Sequence, residues 1–159
     1  NSADMEFCFY LQCMQLNFPA YNFKLKSQEN RNYVFDIIRK KYVVLTPEEW
    51  VRQHLLHYLI EEAGYPASLI AVERGLQMNG LQKRFDVLVC NRQAEPLLLV
   101  ECKSPETMLT KDTFLQAAVY NSQFACRHIL ITNGINHFCC NYTSGQPRVT
   151  EQIPSFNTL

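Results

Sequence analysis

The sequence predicts a mixed α/β domain in which helices flank a central sheet. Two segments with helical periodicity lie among runs in which apolar residues alternate or follow one another directly, as in half-buried and fully buried strands. A chain of 159 residues, 47% of them hydrophobic, can bury one core and is too short for two ordinary domains. We therefore expect residues 24–159 to form a single domain after an N-terminal segment, residues 1–23, part of which is a candidate expression scar.

The composition restricts partners and compartment. Fifteen Lys and Arg balance fifteen Asp and Glu, so any contact with nucleic acid has to come from a local patch. Seven cysteines without a Cys-x-x-Cys pair indicate reduced thiols in a soluble, cytoplasmic protein rather than disulfides or a zinc site. Short basic clusters are candidate phosphate contacts, although such clusters are more often solvated surface. These clusters are Lys24 with Lys26, Arg39 to Lys41, and Lys83 with Arg84.

The clearest local signal is the start of a helix. Thr46 is a suitable N-cap, Pro47 fits the first helical position, and Glu49 stands where it would close a capping box. Gly64 is well placed to end this helix. Upstream, the alternating segment 33–38 predicts a peripheral strand.

Beyond this helix the pattern changes to that of strands. The run 97–102 is apolar on both faces, which is typical of a central strand covered on both sides. The other predicted elements are strands over residues 69–73, 83–90 and 128–132, a helix over residues 110–124, and a further strand within residues 135–142.

Three charged residues cluster where the central strand ends. We expect strands 83–90 and 97–102 to pair as a hairpin about the centre of the Asn91 to Pro96 loop. Opposed residues then have numbers that sum to 187, and Asp86 faces Glu101. Opposed carboxylates repel, so a positive group is expected beside them. Lys103 projects to the same face as Glu101, because side-chain direction repeats at every second residue. Two acids and an ammonium should therefore converge.

Such a cluster suits a hard divalent cation. Mg²⁺, with Mn²⁺ as a substitute, prefers carboxylate and carbonyl oxygens, so we expect Asp86, Glu101 and the backbone carbonyl of Cys102 as its ligands. In phosphodiester hydrolysis the ion would activate a water, and Lys103 would orient that water or offset charge on the phosphate. The alternative is a strand-end salt-bridge cluster with no catalytic role.

These residues resemble a known signature. Asp86 followed by Glu101-Cys102-Lys103 is similar to the PD-(D/E)xK motif of restriction-endonuclease-like nucleases, although Phe85 replaces the proline. The segment 45–140 is closer still to the N-terminal nuclease domain of type I restriction enzyme R subunits. The stretches that carry this resemblance are Thr46 to Gln53, Arg84 to Val87, Val100 to Pro105, and Gln116 to Tyr120, which matches a Gln-x-x-x-Tyr motif.

The resemblance implies a restriction-endonuclease-like fold and a metal-dependent endodeoxyribonuclease that acts on DNA with restriction or helicase subunits. By resemblance, Asp86 and Glu101 bind the metal, and Lys103 is the catalytic lysine. Gln116 and Tyr120 would support cleavage, and Glu49 would complete the acidic cluster. The family's large subunits continue into a helicase motor, whereas this sequence contains no Gly-x-x-x-x-Gly-Lys-Ser/Thr phosphate loop.

Several alternatives remain open. Glu49 stands at a capping-box position, and this structural role accounts for a glutamate there without any metal. Gln116 and Tyr120, one helical turn apart, also fit an ordinary polar pair. The whole domain also fits a catalytically inactive nuclease-fold module that binds nucleic acid or assembles with partners, or a purely structural interaction domain.

Overall fold

The computed structural model describes residues 2–142 and 147–159. In this part of the chain the helices are α1 (Ser2–Cys13), α2 (Pro47–Glu61) and α3 (Lys111–Asn121). The strands are β1 (Leu25–Gln28), β2 (Arg31–Asp36), β3 (Lys41–Val44), β4 (Ile70–Met78), β5 (Leu81–Cys90), β6 (Pro96–Cys102), β7 (His128–Thr132), β8 (His137–Asn141) and β9 (Arg148–Thr150). No helix in the described residues is long and apolar enough to cross a membrane.

A six-stranded mixed sheet, in the order β4-β5-β6-β7-β8-β9, confirms the predicted fold class. All neighbours pair antiparallel except β6 and β7, which are parallel and are joined through α3. Leu98, Leu99 and Val100 of β6 are fully buried, as expected for a central strand. Along β7, Leu130 packs in the cluster around α2, whereas Ile129 and Ile131 pack against α3. The two helices therefore cover opposite faces of the sheet.

A second sheet, in the order β1-β2-β3, lies upstream of α2. The predicted peripheral strand at residues 33–38 corresponds to β2, but the sequence did not reveal its two antiparallel partners. Those partners are four residues each and mostly exposed, so they carry little hydrophobic pattern. Val34 is fully buried in the cluster around α2, which attaches this small sheet to the main core.

Helix α2 begins as the sequence predicts, with one difference. Thr46 accepts a hydrogen bond from the Glu49 amide at 3.0 Å, and Pro47 is the first helical residue. The Glu49 carboxylate, however, binds other side chains instead of completing a capping box with Thr46. Gly64 adopts a φ of 74°, which suits the turn after the helix.

Helix α3 is shorter than the predicted segment 110–124. It ends at Asn121 and continues as a 3-10 turn over Ser122–Phe124. The sequence predicts an inward face of Phe114, Leu115, Ala118 and Val119; Phe114 and Ala118 are buried as predicted, whereas Val119 is 65% exposed.

The N-terminal segment contributes to the core. Leu11 of α1 is fully buried, and Leu16 is 8% exposed, in the cluster that also contains Val51 of α2. The cysteines whose side chains the structure describes are free thiols: Cys13, Cys90, Cys102, Cys126, Cys139 and Cys140. Five of them are buried or half-buried and Cys13 is exposed, which agrees with reduced cysteines among the described side chains.

Gly134 is a position where a side chain would not fit. Its φ is 84°, and an added Cβ would lie 2.9 Å from Leu16 Cδ2 and 3.0 Å from Val51 Cγ2. We expect Gly134→Ala to lower the free energy of unfolding by about 2–4 kcal/mol, since a left-handed residue and an overpacked core each cost energy. Gly80 is the control, because its φ is 79° but nothing lies within 4 Å of the same Cβ position. Urea unfolding that gave equal losses for both alanine variants would contradict the proposed clash.

Because several histidines are buried, we expect the free energy of unfolding to decrease in mild acid. Burial lowers the pKa of His54 to about 4 from 6.5, although its hydrogen bond to the Trp50 carbonyl opposes the shift. The unfolded chain therefore binds more protons between these pH values, and stability present above pH 6.5 is lost as the pH falls toward 4. The loss attributable to His54 is about 3 kcal/mol.

Melting temperatures measured across this range test the prediction with His54→Asn. The variant should show a shallower decline in stability than the parent, because its side chain does not titrate. Some decline should persist, since burial also lowers the pKa of His128 and of His137. Parallel pH profiles for the two proteins would exclude His54 as a source of the acid sensitivity.

Candidate active site

The β5–β6 hairpin has the predicted register. Val87 pairs with Val100, Leu88 with Leu99, and Val89 with Leu98, so that each pair sums to 187. A register shift follows at Val89/Cys90, near the turn and away from the charged end. Continuing the register places Asp86 beside the end of β6, where its Oδ2 accepts a hydrogen bond from the Cys102 amide at 2.8 Å.

The two acids nevertheless bind their partners on different sides of the sheet. Asp86 Oδ1 accepts a hydrogen bond from Arg52 of α2 at 2.7 Å. Glu101, which pairs with Ile131 on the α3 side, accepts a hydrogen bond from Asn121 Nδ2 at 3.0 Å. The two carboxylates therefore do not face each other as predicted. Asp86 binds on the α2 side of the sheet, and Glu101 binds on the α3 side.

An irregularity in the strands beside Asp86 accounts for this division. Phe85 packs against Phe124, whereas Val87, two residues further on, packs in the α2 cluster. Strand alternation should place both residues on one face, so side-chain direction changes at Asp86. The residue across from it on β4 is Glu73, between the pairs Val72–Val87 and Arg74–Phe85, and its φ is 54°. A left-handed non-glycine residue inside a strand distorts the pleat there.

Glu101 is held by three groups. Its Oε1 accepts hydrogen bonds from Lys83 Nζ and from Asn121, and Lys83 also donates to Asn121 Oδ1 at 2.7 Å. Burial raises the pKa of Glu101, but these hydrogen bonds and the charges of Lys83 and Lys103 outweigh burial and lower the pKa below its usual value. Glu101 is therefore a carboxylate at neutral pH.

Lys103 is the more accessible of the two lysines beside Glu101 in the described part of the chain. Its Nζ lies 3.8 Å from Glu101 Oε2, and its side chain is 45% exposed, compared with 24% for Lys83 and 6% for Arg52. Its amide donates to the Thr132 carbonyl at 2.8 Å, which fixes the backbone beyond β6 to β7. The structure thus brings Lys103 to Glu101 while leaving its ammonium open to a substrate.

Arg52 is the central cation on the α2 side, and sequence reasoning did not identify it. One guanidinium nitrogen bonds Glu49, and the other lies 2.7 Å from Asp86 and 3.5 Å from Glu48. Burial opposes its charge, but Glu49 and Asp86 more than compensate and raise the pKa of Arg52. The available signal was helical spacing, since Arg52 follows Glu49 by three residues and Glu48 by four.

The Glu49 side chain is buried and binds other side chains, which a capping role alone does not explain. It is 7% exposed, and its Oε1 accepts hydrogen bonds from Arg39 at 2.6 Å and from Gln53 at 2.8 Å. Arg39 and Gln53 also bind the fully buried Asp36, so the cluster extends to the small sheet. Arg39 is therefore engaged with carboxylates, which makes it a poor candidate for a phosphate contact.

Two further acids were missed by sequence reasoning. Glu73 pairs with Arg39 at 3.1 Å and with Arg84 at 2.8 Å. Burial raises the pKa of Glu48, and so does the charge of Asp86, whereas Arg52 and Lys103 oppose the increase. Glu48 therefore lies within electrostatic reach of both Asp86 and Lys103.

The Gln-x-x-x-Tyr pair, Gln116 and Tyr120 of α3, lies at the edge of the candidate active site. Tyr120 is 43% exposed, and Lys83 Nζ lies 5.0 Å from the centre of its ring, so Tyr120 is linked to Glu101 through Lys83. Gln116 is exposed one turn earlier and forms no side-chain hydrogen bond with residues 2–142 or 147–159. The structure brings Tyr120 to the acids but not Gln116.

The donor chemistry at this end of the sheet fits a hard divalent cation. Oxygens of Glu48, Glu49 and Asp86 already surround the positive guanidinium of Arg52. Within the described residues, however, no three His, Cys, Asp or Glu side chains are arranged as a ready metal site. The acids are currently neutralised by arginine and lysine, so metal binding requires some of these ion pairs to open.

Comparison with known proteins connects this geometry to a family. Residues 47–156 match the family model described as type I restriction enzyme R protein N terminus. A solved fragment from Vibrio vulnificus YJ016, assigned as an HsdR subunit of a type I restriction enzyme, superposes with a TM-score of 0.51 at 22% identity. The match covers 70% of this chain and 24% of that chain, so this chain spans about a quarter of the length of the solved fragment. No curated protein matches the sequence. Because the family model spans more than half of the sequence, the chain belongs to the type I restriction enzyme R protein N-terminus family.

Proposed function

We propose that this domain is a Mg²⁺-dependent endodeoxyribonuclease that hydrolyses phosphodiester bonds of DNA. The observation that carries the proposal is the end of the β5–β6 hairpin, where an accessible Lys103 lies 3.8 Å from Glu101 and Asp86 accepts a hydrogen bond from the Cys102 amide between them. Mn²⁺ would substitute for Mg²⁺, since both accept hard oxygen ligands. Family membership supports a role in restriction beside other subunits, in the reducing cytoplasm that free thiols suit.

The residues that would hold the metal are Asp86, Glu101, Glu49 and the Cys102 carbonyl. The Cys102 thiol is not a candidate, because burial raises its pKa well above the usual value. When bound, the ion would polarise the phosphate and lower the pKa of a coordinated water. Arg52 would have to withdraw from Asp86 or Glu49 to free their oxygens.

The protein's own residues would carry the remaining steps. Lys103, held 3.8 Å from Glu101, would orient the attacking water or donate to the phosphate as negative charge develops. Lys83 and Asn121 would keep Glu101 ionised and fixed in position. Tyr120 would contact the DNA beside Lys83, and Gln116, exposed one turn earlier, would contact the adjacent backbone.

The second candidate function is a catalytically inactive module that binds nucleic acid or assembles with restriction or helicase partners. One observation favours it: Arg52 and Lys83 already neutralise Asp86 and Glu101. A cluster satisfied in this way is stable without a metal.

Supercoiled plasmid distinguishes the two functions. The nuclease proposal expects nicking by the purified chain in Mg²⁺ or Mn²⁺ and none in EDTA, together with heat of metal binding by calorimetry. Calorimetric binding of DNA without any binding of Mn²⁺ would instead support the inactive module. Metal binding lost in Asp86→Asn would assign the ion to the proposed carboxylate.

A further inference from the structure

The three-stranded sheet presents one side to the core and one side to solvent. Val34, Leu25 and Val43 pack toward the α2 cluster. Residues of opposite parity point the other way, and we call this side the outer face. The outer face carries Lys24, Lys26, Arg31, Tyr33, Phe35 and Tyr42.

Positive charge is concentrated in this part of the chain. Residues 24–44 contain six Lys and Arg against two Asp and Glu, a net charge of +4 in a chain whose net charge is zero. One of the two acids, Asp36, is buried on the inner side and bound to Arg39. Among the described residues, none of the three cations on the outer face forms an ion pair with a carboxylate. The other acid, Glu29, is exposed in the turn between β1 and β2 and forms no ion pair with described residues, so the outer face is basic.

The cations lie over aromatic rings. Lys26 Nζ is 4.4 Å from the centre of the Tyr42 ring and 5.4 Å from that of Tyr33, while Lys24 Nζ is 5.5 Å from that of Phe35. Tyr42 is 38% exposed, and Tyr33 and Phe35 are half-buried. An anionic strand would draw the ammonium groups to its phosphates and leave ring faces for its bases.

We propose that the outer face binds single-stranded nucleic acid, with phosphates on Lys24, Lys26 and Arg31 and unpaired bases stacked on Tyr33 and Tyr42. Stacking requires unpaired bases, which a duplex does not present. A protein partner fits less well, because the centres of protein interfaces are depleted in lysine. The inference deepens the proposed nuclease function and rests on it for its biological use, since the chain leaving β2 supplies the Arg39 that bonds Glu49.

Fluorescence anisotropy with a labelled oligothymidylate of about 20 nucleotides tests the proposal, because comparable sites span roughly 4–16 nucleotides. EDTA in the buffer prevents cleavage. We expect Tyr42→Ala to weaken binding about fivefold or more, and Lys26→Glu to weaken it and to reduce its salt dependence. The matched controls are Phe9→Ala, whose ring is 67% exposed on α1, and Arg92→Glu, an exposed loop cation. Both should bind like the parent, and melting curves check that every variant is folded.

Three results would overturn the inference: no binding of the oligonucleotide, equal affinity of all folded variants, or tighter binding of the matching duplex with no effect of Tyr42→Ala. The last result would assign the outer face to duplex phosphates instead of bases. The nuclease proposal is tested separately, because binding in EDTA does not require the acids. A parent that binds through Tyr42 but never nicks DNA would end the nuclease proposal and leave this inference standing.

Discussion

Lys103→Ala is expected to lower the rate of Mg²⁺-dependent plasmid nicking by about 100-fold or more while leaving the fold intact. A positioned acid–base or charge-stabilising group contributes at least this much to a rate. Its contribution to stability should be small, because Lys103 is 45% exposed and its pair with Glu101 spans 3.8 Å, and such surface pairs contribute about 1 kcal/mol or less. Initial nicking rates and a melting curve of the same preparation measure the two effects.

Lys111→Ala is the matched control. This lysine is exposed at the start of α3, so its removal makes the same change in net charge at a position away from the acids. The control should nick DNA at the parental rate. Equal rates for the parent and for Lys103→Ala would refute the catalytic assignment of Lys103, whereas equal losses in both variants would indicate a general effect of charge on DNA binding.

Local sequence rules anticipated much of the fold for a physical reason. The cap at Thr46, the turn at Gly64 and the two-faced burial of β6 depend on interactions between near neighbours or on hydrophobic period. The hairpin register followed from pairing the two strands about the centre of the Asn91 to Pro96 loop, because the loop fixes the register of a hairpin. β1 and β3 escaped prediction because they are short and exposed, and their pairing is a tertiary property.

The side-chain network of the candidate site was less predictable. The change in side-chain direction at Asp86 depends on Glu73, which lies on another strand and adopts a left-handed conformation that nothing local requires. Arg52 and Lys83 were not distinguishable from surface cations until folding brought carboxylates to them. Sequence therefore identified the acids through register and resemblance, whereas their partners required the three-dimensional structure.

Arg52→Ala is expected to lower the free energy of unfolding by about 3–5 kcal/mol when no metal is present. The side chain is 6% exposed and pairs with Glu49 and Asp86, so its removal leaves half-buried Asp86 without an ion pair to the described residues and leaves buried Glu49 with Arg39 as its remaining cation there. Arg84→Ala is the control, because Arg84 also pairs with a carboxylate, Glu73 at 2.8 Å, but its side chain is 67% exposed. The control should lose about 1 kcal/mol or less in the same urea unfolding experiment.

Mg²⁺ should restore part of the stability lost in Arg52→Ala. If the carboxylates around the guanidinium are the metal ligands, the variant exposes them to the ion without the competing cation. A ligand that binds only the folded state stabilises it by an amount that grows with the logarithm of the ratio of ligand concentration to dissociation constant. Titration with Mg²⁺ should therefore raise the melting temperature of Arg52→Ala more than that of the parent. An equal rise in both proteins would mean that Arg52 does not compete with the metal, and no rise in either would place the ion elsewhere or exclude it from this domain.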